Sequence, residues 1–286
     1  MPFGKPRKPA LGRDLVLAGA LALLTLGAGA AGAQTSDLVS RTAFRVCSDP
    51  AAYPASTEDG TGYENRIAAL LAEELGRPVE YAWYPMSTGF VRNTLAAAQC
   101  DVIIGYAQGD ELVLNTNHYL TSAYVLVVPN DGPLAEVTEL SDPRLQDATI
   151  GVIAGSPPAT HMAQLGLLDD IKSYDLFADR RYKSPPDLML ADLESGAIDA
   201  ALMWGPIAGP MVKDRGLPMT VTPLIHETAM PHLFYRITMG VRQGEDAWKR
   251  ELNSLLRRNQ DRIDAILREA GVPLVNDMGT ALKSEG

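Results

Sequence analysis

The sequence predicts an α/β protein of two lobes, each a mixed sheet flanked by helices, with two crossover segments joining them. Three observations carry this expectation. Residues 44–106 alternate short apolar runs with helical repeats, a fainter copy of that alternation recurs after residue 148, and a late apolar run, Leu233 to Val241, needs a sheet to join. Short unbroken apolar runs between helices are the mark of strands covered on both faces, as in parallel sheets.

The first strand is FRVCSDP, which ends in the polar turn Ser48-Asp49-Pro50. A helix follows over GYENRIAALLAEELG, with Ile67, Leu70, Leu71 and Leu75 at helical spacing, Gly76 as its stop and Pro78 just beyond. RPVEYAWYP is a second strand, a second helix ends in LAAAQ, and CDVIIGY is a third strand. The strand order expected from such a unit is 2-1-3. Ligands of open α/β sheets sit at the carboxyl ends of strands, which brings the loops at Asp49, Tyr84 and Gly105-Tyr106 to a common cleft.

Ala123 to Val128 reads as a strand leaving the first lobe, and Pro129 to Pro133 as a connector. In the second lobe Ala148 to Ile153 is a buried strand, and Gly155-Ser156-Pro157 opens a helix with Ser156 at the N-cap and Pro157 at the first helical position. Ile171 to Phe177 is a strand, Ser184 to Leu193 a helix, and Ile198 to Trp204 and Met219 to Ile225 are strands. The stretch from Leu95 to Asp101 ahead of Gly105 is echoed by Leu193 to Asp199 ahead of Gly205, each Asp capping a strand entrance. Leu233 to Val241 returns to the first lobe. Two terminal helices follow, one lined by Trp248, Leu252 and Leu255, the other by Ile263, Ile266 and Leu267. The expected boundaries are 1–33 for a signal peptide, 42–125 and 236–275 for lobe one, 126–235 for lobe two, and 276–286 for a frayed tail. Two crossings make a hinge, and a hinge between α/β lobes makes a cleft.

Lys5, Arg7, Lys8 and Arg13, the apolar run Leu15 to Leu26 and the small residues through Ala33 form a secretory signal peptide, with Gln34 as the first mature residue. The apolar run is short for a membrane span, and nothing later approaches that length, so the protein is expected in the periplasm and not embedded in a membrane. The chain carries a net charge of -10 before any cleavage. That balance argues against nucleic acid, which needs a basic footprint, and admits a basic protein partner such as a cytochrome. The two cysteines, Cys47 and Cys100, lie on strands expected to be neighbours. An oxidising compartment favours a bridge; the uncertain register leaves two buried free thiols as the alternative.

No catalytic apparatus emerges. His118, His161, His226 and His232 lack metal-ligand spacing, Asp169-Asp170 and Glu73-Glu74 read as solvated helix faces, and Gly155-Ser156 has no nucleophile-elbow pattern. The residues placed at the cleft are Asp49, Tyr53, Tyr63, Glu64, Tyr84, Tyr106 and Gln108 from lobe one, and Ser156 and Trp204 from lobe two. Tyr and Trp join a large contact area to a polar handle.

The words FRVCSDP, GYENRIAALLAEELGRPVEYAWYP, GFVRNTL, CDVIIG and IGVIAGSPP resemble the type II periplasmic solute-binding proteins. Within them they are similar to the MxaJ/XoxJ-type proteins associated with quinoprotein methanol dehydrogenases. The resemblance implies a non-catalytic accessory protein without a cofactor, monomeric when free. Its implied partners are a PQQ-dependent dehydrogenase and that enzyme's cytochrome c, with a small ligand as a further occupant of the cleft. The sequence departs from the family at Tyr53-Pro54-Ala55-Ser56 and at Asn117-His118-Tyr119-Leu120, which alters the cleft. Amino-acid binders of this fold clamp the ligand carboxylate with an Arg after the third strand; Gly109 to Leu114 holds none, which argues against a free amino acid, with Arg92 as the alternative clamp. The rival reading is a receptor of an ABC transporter for a small polar solute.

Overall fold

The computed structural model describes residues 38–176, 178 and 182–284. The signal peptide expected over residues 1–33, and the end of the strand expected to reach Phe177, lie outside them.

The first half opens with β1 (Phe44–Ser48), a two-stranded hairpin of β2 (Ala51–Ala52) and β3 (Ser56–Thr57), and helix α1 (Tyr63–Leu75). There follow β4 (Val79–Trp83), the single turn α2 (Phe90–Asn93), β5 (Val102–Ala107) and the short β6 (Leu114–Asn115). β1 lies parallel to both β4 and β5, the expected 2-1-3 order. The second half holds β7 (Leu120–Pro129), β8 (Ile150–Ile153), α3 (Pro157–Leu165), β9 (Ile171–Tyr174), α4 (Pro185–Glu194), β10 (Ala200–Trp204), α5 (Gly205–Arg215) and β11 (Met219–Pro223). β12 (Phe234–Val241) and α6 (Asp246–Ala270) close the chain on the first half.

One strand does the crossing. Leu120–Ala123 of β7 pair antiparallel with β12, while Tyr124–Val127 pair with β10 and Val125–Pro129 with β11. The strand order therefore runs continuously as β4-β1-β5-β12-β7-β10-β8-β9. Residues 224–233 carry the chain back. β7 can serve both halves because it is apolar on both faces: Leu126 and Val128 enter one core of the second half, Val125 and Val127 the other. The first half packs α1 and α6 on its sheet through Ile67, Leu71, Val102, Met239, Leu252 and Ile263.

Four expectations need correction. The two terminal helices are one, α6, of 25 residues. Between the two expected stripes lies the polar run RRNQDR, but Asn259 is buried and its amide donates to the Leu255 carbonyl at 3.0 Å, so the helix continues through it. Helix α5 was missed because Gly205, Pro206, Gly209 and Pro210 are poor helix formers. Tertiary packing selects it: a Cβ at Gly209 would meet the Gly271 carbonyl and one at Gly205 the Ala123 carbonyl, so the two glycines let α5 lie directly against the first half. The described part of the expected tail, residues 276–284, is tied to the rest of the chain. Leu282 pairs with Val275, and Lys283 reaches Asp264 at 2.5 Å.

The last correction concerns the paired aspartates. Asp199 does cap, accepting the Thr149 amide at 2.9 Å. Asp101 is instead a buried hub, 1% exposed. Its carboxylate accepts from Arg45 Nε at 2.8 Å, Arg45 Nη2 at 2.6 Å, Arg242 Nη2 at 2.7 Å and the Ser40 amide at 3.0 Å. Trp248 Nε1 donates to its carbonyl at 3.1 Å. Burial pushes this carboxyl up, but the Arg45 and Arg242 hydrogen bonds outweigh it and hold the group below the usual carboxylate range. Beside this hub Cys47 and Cys100 form a disulfide, with their Cα atoms 5.3 Å apart.

Candidate functional site

A cavity of about 150 Å³ lies between the halves. Tyr63, Glu64, Gly105 and Leu120 line it from the first half; Trp204, Pro206 and Ile207 line it from the second. Tyr63 and Glu64 begin α1, whose entry is fixed by backbone bonds to the hairpin: the Tyr63 amide donates to the Pro54 carbonyl at 3.2 Å and the Glu64 amide to that of Ala55 at 2.8 Å. Asn65 Oδ1 accepts from the Gly62 amide at 3.2 Å and from the Thr57 amide at 2.9 Å, satisfying donors that a helix start leaves open. The Glu64 carboxylate lies where residue 105 would carry a Cβ. Gly105 also has φ +78°, and it is this backbone conformation that calls for glycine there.

Trp204 ends β10 and begins α5. Its ring packs against Tyr124 at 5.3 Å and Tyr235 at 5.9 Å between centroids, a three-ring cluster at the point where β7 changes partners. Burial pushes the Tyr124 phenol up to about 12.

Of the nine residues expected at the cleft, Tyr63, Glu64 and Trp204 line this cavity and the others do not. Asp49 is a buried brace, accepting from the amides of Ala51 at 2.9 Å and Met86 at 2.8 Å. Tyr84 packs by Phe90 and accepts from Asn93 Nδ2 at 2.9 Å. Tyr106 donates to Asp110 at 2.9 Å; burial, then that hydrogen bond, pushes its phenol up to about 12. Gln108 borders a larger, open groove of about 760 Å³ between residues 109–118 and α6. That groove belongs to one half alone, so the smaller cavity between the halves is the better candidate. Ser156 stands at the N-cap of α3, where its buried hydroxyl has no hydrogen-bond partner among the described residues.

Tyr53 touches the other half directly. Its hydroxyl donates to Asp214 Oδ2 on α5 at 2.9 Å. Burial, then the Asp214 hydrogen bond, pushes this phenol up to about 12. A folded-state value above the unfolded one means the contact contributes fully below pH ~10 and is lost as pH rises through 12. The stability gap between wild type and Tyr53→Phe, followed by chemical denaturation, should therefore shrink across that window; a gap that widens would contradict the contact.

No protein-family model matches the chain. Over 248 residues it is 31% identical to Protein MoxJ of Methylorubrum extorquens, spanning 81% of each chain. The crystal structure of the periplasmic binding protein XoxJ from Methylobacterium extorquens AM1 superposes with a TM-score of 0.70 at 43% identity, over 82% of this chain and all of that one. The chain belongs to the MoxJ/XoxJ family of periplasmic binding proteins. A crystal structure of MxaJ follows at 26% identity and TM-score 0.68, over 81% of this chain and all of its own. An ancestral cationic amino-acid binding protein at 20% identity and TM-score 0.64 shares the two-lobed fold.

The cavity of this MoxJ/XoxJ-family member has an unusual balance for an amino-acid site. Among the described residues Glu64 is the one ionisable carboxylate on its wall, and no described Arg, Lys or His lines it. Arg92, on α2, is not on the wall. Met86, Pro206 and Ile207 line the cavity without having been singled out in the sequence, and Leu120, from one of the departures from the family, lines it too. Gly105 was the one available signal, since a glycine inside a strand pattern marks a close approach. Among the described residues no helix is long and apolar enough to cross a membrane.

Proposed function

We propose that this protein is an exported, non-catalytic accessory of a PQQ-dependent alcohol dehydrogenase of the methanol-oxidising kind, docking the enzyme along the rim of the cleft. Membership of the MoxJ/XoxJ family, at 43% identity to XoxJ, carries the proposal. On this reading residues 1–33 are removed on export, the lobes divide near residues 125 and 235, and the free protein is a monomer. The enzyme's cytochrome c is a second candidate partner.

The cleft suits docking better than turnover. Among the described residues its wall offers one carboxylate, and its Ser56 hydroxyl is already engaged, accepting from Ser48 Oγ at 2.7 Å and donating to the Asp49 carbonyl. The rim, by contrast, presents Tyr53 at 37% exposure and Met86 at 50%. Exposed apolar groups beside a concave site are the usual anchors of an interface.

The test is a co-purification and biosensor titration with the periplasmic quinoprotein dehydrogenase of the same cell. Replacing Tyr53 and Met86 together by Ala should weaken association at least tenfold, about 1.4 kcal/mol. Raised salt should slow association more than it hastens release. Should wild type fail to associate and deletion of the gene leave dehydrogenase activity unchanged, the transport-receptor reading takes its place.

A further inference from the structure

We propose that α5 is a strut that holds the two halves at one fixed opening, so that the cleft does not open and shut about the crossing segments. The strut goes beyond the docking reading and does not depend on the dehydrogenase.

Both crossings meet at Tyr124. Its amide donates to the Leu233 carbonyl at 2.7 Å, and its carbonyl accepts from the Leu224 amide at 2.9 Å. Two crossing segments by themselves form a hinge about which one half swings. α5 is a further link, and it runs away from the crossing. Gly205, Gly209 and Lys213 are spaced four residues apart, so they form one stripe along the helix, about 12 Å long. The whole stripe is engaged. At one end a Cβ on Gly205 would strike the Ala123 carbonyl and the Pro273 ring. In the middle a Cβ on Gly209 would strike the Gly271 carbonyl, and one on Gly271 would press on the Gly209 carbonyl and the Lys213 side chain. At the far end Lys213 Nζ donates to the Glu269 carbonyl at 2.6 Å, one of the acceptors that the end of α6 leaves open.

A seat of this length resists rotation across it. Rolling on the seat is a separate motion, and a different contact opposes it. Asp214 lies about 100° around α5 from Lys213 and accepts from the Tyr53 hydroxyl, on the β2–β3 hairpin, at 2.9 Å. The seat belongs to the first half. Ser122 Oγ donates to the Pro273 carbonyl at 2.6 Å and the Val275 amide to the Thr121 carbonyl at 3.0 Å, which ties residues 273–275 to the part of β7 that pairs with β12.

The strut bears directly on the cavity. Trp204, Pro206 and Ile207, the second half's share of the wall, cap and begin α5. Because that turn is seated on the first half, the facing walls keep their spacing and the cavity keeps its volume of about 150 Å³. A receptor that hands enclosed cargo to a transporter has to open to release it. A strutted cleft instead presents one constant surface, which favours docking over the transport reading.

The experiment places a spin label on each half, at Glu194→Cys on α4 and Arg250→Cys on α6, both exposed. Double electron–electron resonance then reads the distance between them. The labelled parent should give one narrow distance distribution. Adding Gly209→Ala should broaden or shift it, since the new Cβ meets a backbone carbonyl that has no side chain to swing aside; a melting curve checks that the variant folds. A broad or two-peaked distribution in the labelled parent overturns the proposal. So does a folded Gly209→Ala protein with the parent's distribution. Should Gly209→Ala not fold, Tyr53→Phe combined with Lys213→Ala decides. That variant keeps the glycines and removes both side-chain bonds; a broadened distribution supports the strut, and an unchanged one overturns it.

Discussion

Replacing Asp101 by Ala should lower the unfolding free energy by about 3–5 kcal/mol, the usual cost of removing one partner from a buried ion pair. Asp101 is 1% exposed and Arg242 is 8% exposed. Without the carboxylate, Arg242 keeps the Leu95 and Cys100 carbonyls and Glu245 as partners, but loses the anion it faces in the interior. Arg45 loses both of its bonds to that anion. The hub ties β1, the entrance of β5, the end of β12 and, through Trp248, the long helix, so the loss should act on the whole first half. Urea denaturation measures it. The same carboxylate predicts an acid dependence. Its folded-state pKa is lowered, so its contribution is present above the unfolded value of about 3.9 and disappears as pH falls through the folded value. Asp101→Asn should remove that part of the acid sensitivity. A loss under about 1 kcal/mol in the Ala variant, within the range of ordinary surface changes, would show that the hub is not what holds these elements together.

Removing the disulfide by the double replacement Cys47→Ala and Cys100→Ala should cost about 4 kcal/mol on the chain-entropy account. The bridge closes a loop with a sequence separation of 53, and the open chain regains that freedom when unfolded. Both sulfurs sit among Phe90, Leu95, Ile103 and Val113, so the variant also loses some packing, which acts in the same direction. Mass mapping of the unreduced, alkylated protein should show the two peptides linked. Two alkylated thiols in that map, or a double variant as stable as wild type, would refute the bridge as a stabilising element. A bridge of this kind also fits the oxidising compartment that the export reading requires.

The mixed α/β class, the 2-1-3 order of the first strands and most strand positions were legible in the sequence, because they follow from local patterns. Apolar runs such as CDVIIG and the Gly76 helix stop mean the same thing wherever they occur. So did the family, which is carried by whole words of sequence. Three of the nine expected cleft residues, Tyr63, Glu64 and Trp204, lie on the cavity wall because a strand end or a helix start points there in any fold of this class. The rest was decided by contacts between segments far apart in the chain. Helix α5 forms against its own propensities since Gly209 and Gly205 allow close packing on Gly271 and Ala123. Asp101 becomes a hub only where Arg45 and Arg242, 56 and 141 residues away, converge on it. Whether Cys47 meets Cys100, and that Tyr53 reaches Asp214 while Asp49, Tyr84 and Tyr106 turn to their own loops, depends on register and on partners that no local pattern encodes. Periodicity in a sequence records which face of an element is apolar; it does not record which distant charge, carbonyl or glycine that face will meet.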